Sequence, residues 1–183
     1  MESLNIIILI DILKESLWKQ FGAGIDMLRN AILLWPEEYW NTDRRFFYIA
    51  YHSLISLDYC LTIPPTDYSS PLPFKITDPA EIPDEAVDDI IPDRIYSKKE
   101  LLGYLQASRL KCRKLIEGLT EEKIKQRWIE EPDELSAYCT LNYNVLEILL
   151  YNLRHVQHHA AQLNLLLRKK INAAPDWVSE AEE

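Results

Sequence analysis

The chain has 183 residues, 48% of them hydrophobic, which is enough to bury one sizeable core as a single domain spanning 1–183. Its 20 Lys and Arg stand against 29 Asp and Glu, a formal net charge of -9, and no basic cluster is dense enough to track a phosphate backbone. Nucleic acid is therefore excluded as an expected partner, and Cys60, Cys112 and Cys139, far apart and without CxxC spacing, fit reduced thiols in a cytoplasmic protein.

The apolar run in "MESLNIIILIDI" has no basic start and no small-residue cleavage site, and Asp11 interrupts it, so neither a signal peptide nor a membrane span is expected. Only four glycines are present, and no alternating apolar pattern is bounded by Asn-Gly or Asp-Gly turns. These features predict an all-α fold. A first helix runs from about residue 5 to Leu34, ending ahead of Pro36, with the Gly22 and Gly24 pair loosening its middle.

A second helix starts near "NTDRR" and covers "FFYIAYHSLISLDYCL", stopping before Pro64 and Pro65 because the residue before a proline avoids the α region. A third begins at "SKKE", where Ser97 and Glu100 can form a capping box, and ends at Gly118. A short helical segment, "TEEKIKQRW", follows. The last and most periodic helix, "TLNYNVLEILLYNLRHVQHHAAQLNLLLRKK", can be capped by Thr140, and its final Arg168, Lys169 and Lys170 suit the helix dipole. The result is four main helices, a four-helix bundle. The proline-rich, acidic stretch 63–96 between helices two and three is too long for a hairpin and reads as a crossover strap, the alternative being a lid or wall over a site at the bundle's end.

Three of the four histidines fall within "HVQHH". At about 100° per residue, Asn152, His159, His155 and Gln162 lie in one arc of about 80° that borders the apolar stripe of Val145, Leu149, Val156, Leu163 and Leu167. His158 falls on the opposite, charged side. His155 and His159 are one turn apart and can aim two imidazoles at one point. His52 sits among Tyr48, Ile49, Ile55, Ser56 and Tyr59 on its own helix, a mostly apolar face without a carboxylate, so its partner comes from across the bundle.

Together, His52, His155 and His159 are candidate ligands of one divalent cation, with Gln162 and Asn152 as neighbours that orient them. The competing reading is that each is an ordinary core or surface histidine, since HxxxH alone is a weak signal. No GxSxG, P-loop, GxGxxG or HExxH occurs, and the acidic residues from Asp78 to Asp93 show no ligand spacing and read as a solvated loop.

A central His on the second helix, a long gap, then "RHVQHHAAQLN", a Thr before the last helix and a terminal "PDW" together resemble the DinB/YfiT-like superfamily, whose fourth helix carries H-x-x-H-H-R-G-Q. The resemblance spans nearly the whole chain. It implies an up-down-down-up four-helix bundle that forms a homodimer and binds zinc, nickel or a similar divalent ion. By position, the family's metal triad falls on His52, His155 and His159; Gln162 matches the final Gln, and His158 the non-ligand His. Ala160 and Ala161 replace the family's Arg and Gly, which removes any substrate contact that the Arg makes.

Members of the family with assigned activities are thiol-dependent transferases or isomerases, and others are named metal-dependent hydrolases. The leading expectation is thus a thiol S-transferase acting on a small-molecule thiol and an electrophilic substrate. The alternatives are a metal-dependent hydrolase and a non-catalytic binding or stress-response module in which the metal only ties the helices together.

Overall fold

The computed structural model describes residues 2–130 and 141–181, with side chains described from residue 7 onward. Helix α1 spans Glu2–Leu34, α2 Arg44–Cys60, α3 Lys98–Glu117, α4 Glu121–Lys125 and α5 Val145–Ile171. Helix is the dominant structure. Both α1 and α2 pack against α3 and α5, and this mutual packing encloses the apolar stripes predicted for each helix. Phe21, Ile25, Leu28 and Ile32 of α1 meet Phe46, Ala50, Leu54 and Leu57 of α2, Leu101, Leu105, Cys112 and Ile116 of α3, and Val145, Leu149, Val156, Leu163 and Leu167 of α5 in one buried cluster. Each such side chain, fully buried, contributes about 1.5–3 kcal/mol by removal from water.

Aromatic residues close one end of this core. Trp35 stacks on Phe46 with ring centroids 4.1 Å apart, and Tyr51 stacks on Tyr96 at 5.7 Å. The Tyr51 hydroxyl donates to the carbonyl of Leu72 (2.7 Å), which fastens the 63–96 connection to α2, and the Tyr96 hydroxyl donates to that of Pro73 (2.8 Å) within the connection. A second fastening is polar. Asp58 of α2 accepts from the Tyr104 hydroxyl (2.8 Å) and from Lys111 Nζ (2.5 Å), both of α3.

Several expectations are corrected by the structure. The 63–96 connection is not a bare strap: strands β1 (Phe74–Ile76) and β2 (Ile90–Pro92) pair antiparallel within it, Phe74 opposite Pro92 and Ile76 opposite Ile90. A second ribbon pairs β3 (Arg127–Ile129) with β4 (Asn142–Asn144), so the helical segment predicted over 120–128 ends as α4 at Lys125. Strands of three residues are too short to show a period of two in sequence.

The last helix starts at Val145, not Thr140. Asn144 accepts from the Glu147 amide (2.9 Å) while Glu147 reaches back to the Asn144 amide (2.8 Å), a reciprocal cap; Thr140 itself lies outside the described residues, as does Cys139. Nor do Gly22 and Gly24 interrupt α1, which is continuous. A Cβ on Gly22 would stand 2.5 Å from the Cβ of Ala181, and one on Gly24 2.9 Å from Gln157 Nε2. These glycines make room for the C-terminal tail and for α5. Among the described residues, no helix is long and apolar enough to cross a membrane.

Candidate metal centre

The seam between α2 and α5 brings His52, His155 and His159 together. His155 Nε2 lies 3.2 Å from His52 Nε2 and 3.1 Å from His159 Nε2, and the three potential donor atoms all fall within 4.8 Å of one another. Helical periodicity explains the placement on α5: Val156, Leu163 and Leu167 turn into the core, and the adjacent line of His155 and His159 is drawn inward to its edge. His159 is only 4% exposed, and the His52 side chain 12%.

Neighbouring groups set the tautomers. Gln162 Oε1 can only accept, so His159 Nδ1, 2.8 Å away, carries the proton and leaves Nε2 as a bare lone pair. Gln162 in turn donates through Nε2 to His158 Nε2 (3.1 Å), so the exposed His158 ends a hydrogen-bonded chain that begins at the cluster. His52 Nδ1 lies 2.7 Å from Asp88 Oδ2, a close contact that is not a well-aligned hydrogen bond. The carboxylate places the ring proton on Nδ1 and again leaves Nε2 bare.

His155 stands between these two lone pairs, and its own Nδ1 is buried and has no hydrogen-bonding partner among the described residues. A proton on His155 Nε2 can be shared with only one neighbour and leaves Nδ1 unsatisfied. A proton on Nδ1 has no acceptor and sets three lone pairs face to face. Either arrangement leaves a buried polar atom unmet, at a cost of about 1–3 kcal/mol. A divalent cation would remove the conflict, because each Nε2 lone pair could then turn to the ion.

The spacing also suits a cation. With metal–nitrogen bonds of about 2.0–2.1 Å, two ligands lie about 3.3 Å apart at a tetrahedral angle and about 2.9 Å apart at a right angle. The two separations at His155 fall between these limits. Burial, with the neighbouring histidines adding to it, pushes the His155 ring down to about 3 and His159 down to about 4, so both are neutral near pH 7, the state in which imidazole binds metal. The Tyr151 ring lies parallel to that of His155 at 6.3 Å and backs it from the N-terminal side of α5.

Asn152 is fully buried, but its Nδ2 donates to the Leu57 carbonyl (2.9 Å), so this side chain ties α5 to α2 instead of reaching a histidine. His158 is exposed as the helical arc predicts, yet it takes part in orienting Gln162. Asp88 corrects the reading of the acidic stretch as solvated loop: its side chain is 31% exposed and faces His52. No spacing rule could have found it, since its partner lies on another element 36 positions away. Compared with protein-family models, curated proteins and solved structures, the chain matches none.

Proposed function

We propose that the chain is a divalent-metal-binding enzyme of the DinB/YfiT-like kind, an up-down-down-up four-helix bundle in which His52, His155 and His159 hold the ion. The observation that carries this reading is the convergence of three Nε2 atoms whose outer ring nitrogens are assigned by Gln162 and Asp88, or left orphaned on His155. Imidazole ligands suit zinc and nickel.

The activity proposed is thiol S-transfer to an electrophilic substrate. A bound divalent ion would supply Lewis-acid chemistry, lowering the pKa of a small-molecule thiol so that it is available as thiolate at neutral pH. The chain's own residues hold the donor set rigid across two helices, keep His155 and His159 neutral by burial, and orient two of the three rings from outside. Its described thiols are poor candidates for the nucleophile. Cys60 and Cys112 are both buried, which pushes Cys60 up to about 12 and Cys112 upward as well. A thiol brought by a second small molecule fits this better. A cytoplasmic homodimer belongs to the same reading.

The test is elemental analysis of the untagged protein beside His52→Ala, His159→Ala and His158→Ala, followed by turnover assays with thiols and electrophiles. The expectation is one divalent ion per chain, lost in the first two variants and kept in the third, with turnover that needs both metal and thiol. Metal-dependent turnover of esters or amides without thiol would replace transfer by hydrolysis. A metal-free protein that cannot be loaded would overturn the reading altogether.

A further inference from the structure

The 63–96 connection does more than join two helices, because its residues 85–88 run against the same face of α2 that carries His52. Arg45 and His52 are seven residues apart, hence on one face of α2 and about 10.5 Å apart along its axis. Arg45 Nη1 donates to the carbonyls of Glu85 (2.9 Å) and Ala86 (2.7 Å), and Asp88 Oδ2 meets His52 Nδ1 at 2.7 Å. Three residue steps, from Glu85 to Asp88, reach at most about 10 Å. The segment is thus held to α2 at two points, residues 85–86 and Asp88.

Downstream the carboxylate is held as firmly. Ile90 N donates to Asp88 Oδ1 (3.1 Å), which leaves Oδ2 for His52, and Thr77 N donates to the Asp89 carbonyl (2.9 Å) where β1 and β2 pair. Ala86, Val87 and Ile90 pack on the core on either side. Asp88 meets the edge of the His52 ring opposite Nε2, so it is not a fourth ligand of the same ion. Its effect passes through the ring.

We propose that Asp88 is a positioning residue that latches this connection to the metal centre: it fixes the orientation and tautomer of His52, and metal binding in turn tightens segment 85–90 over α2. The inference rests on the three-histidine reading above. It adds a coupling between ligand geometry and a remote loop that the histidines alone do not require. Carboxylates in this outer position are worth about 10–100-fold in metal affinity when removed.

The experiment titrates the full chain with Zn²⁺ or Ni²⁺ against a competing chelator, for wild type, Asp88→Ala, Asp88→Asn, Asp89→Asn and His159→Ala. Amide hydrogen exchange of residues 85–90 is followed with and without saturating metal. Expected are affinity about 10–100-fold weaker in Asp88→Ala, a smaller loss in Asp88→Asn, whose single amide oxygen can face His52 Nδ1 or Ile90 N but not both, and a change of about twofold or less in Asp89→Asn. Saturating metal should slow exchange over 85–90 in wild type and fail to do so in Asp88→Ala.

Wild-type affinity in Asp88→Ala, or an equal loss in Asp89→Asn, would overturn the latch and leave the three-histidine site standing, provided His159→Ala has lost its metal. Absence of binding in wild type, or full binding in His159→Ala, would overturn the site and the latch with it. Circular dichroism of Asp88→Ala separates a lost latch from a lost fold.

Discussion

Loading the three-histidine centre should raise the thermal stability of the chain by an amount that follows from its size. A ligand that binds only the folded state, at a free concentration about a hundred times its Kd, adds about 2.7 kcal/mol. For 183 residues, unfolding entropy of about 2.1 cal/mol/K per residue sums to about 0.4 kcal/mol/K near 60 °C, so Tm should rise by about 7 °C. The assay is differential scanning calorimetry of chelator-treated protein with and without Zn²⁺ at that excess. His159→Ala removes a ligand that is 4% exposed and should abolish the shift, whereas His158→Ala, altered on the exposed side, should keep most of it. A shift of equal size in His159→Ala would mean that the metal binds elsewhere, and the argument from converging lone pairs would be refuted.

Other outcomes are expected from the same geometry. Gln162→Ala leaves His159 Nδ1–H without its acceptor and should weaken metal binding about 10–100-fold in the same competition titration. Without metal, His155 and His159 bind fewer protons folded than unfolded between their lowered values of about 3 and 4 and the ordinary 6.5. Their contribution is therefore intact above pH about 6.5 and is lost progressively on acidification; urea midpoints from pH 7 to 4.5 should fall more steeply for wild type than for His155→Gln, and equal slopes would contradict this. Asp58→Ala strips the acceptor from the buried Tyr104 hydroxyl and from Lys111, whose partly exposed ammonium can turn to water, so the cost in a denaturant titration should be about 2 kcal/mol, not the larger loss of a sealed ion pair. Leu163→Ala, at a fully buried position on α5, should cost about 2–5 kcal/mol.

The long helices were legible because each carries an apolar stripe at the helical period over many turns, and Ser97 with Glu100 announces α3 by a reciprocal cap. The same rule, applied evenly, would also have placed the start of α5. Thr140 and Asn144 are both capping residue types, but only Asn144 has a Glu three positions on, and that pair forms the cap in the structure. The ribbons β1–β2 and β3–β4 left no such trace, since three residues cannot establish an alternation and their pairing partners lie 13 to 18 positions away.

Local periodicity also explains which parts of the candidate site sequence could reach. His155, His159 and Gln162 share one helix, so their spacing alone fixes their common direction, and the apolar face around His52 indicates that it too points inward. Asp88 obeys no such constraint: in an aperiodic, acidic stretch it is indistinguishable from Asp84 or Asp89. What selects it is its place between the carbonyls held by Arg45 and the start of β2, where its carboxylate meets His52 of α2. Two of the candidate ligands thus follow from the period of α5 and the third from the apolar face of α2, whereas the group that meets His52 follows from how the connecting strap is moored. A substitution in the strap that spares Asp88 but loosens its mooring, such as one that draws residues 85 and 86 away from Arg45, should therefore act on His52 without touching the site.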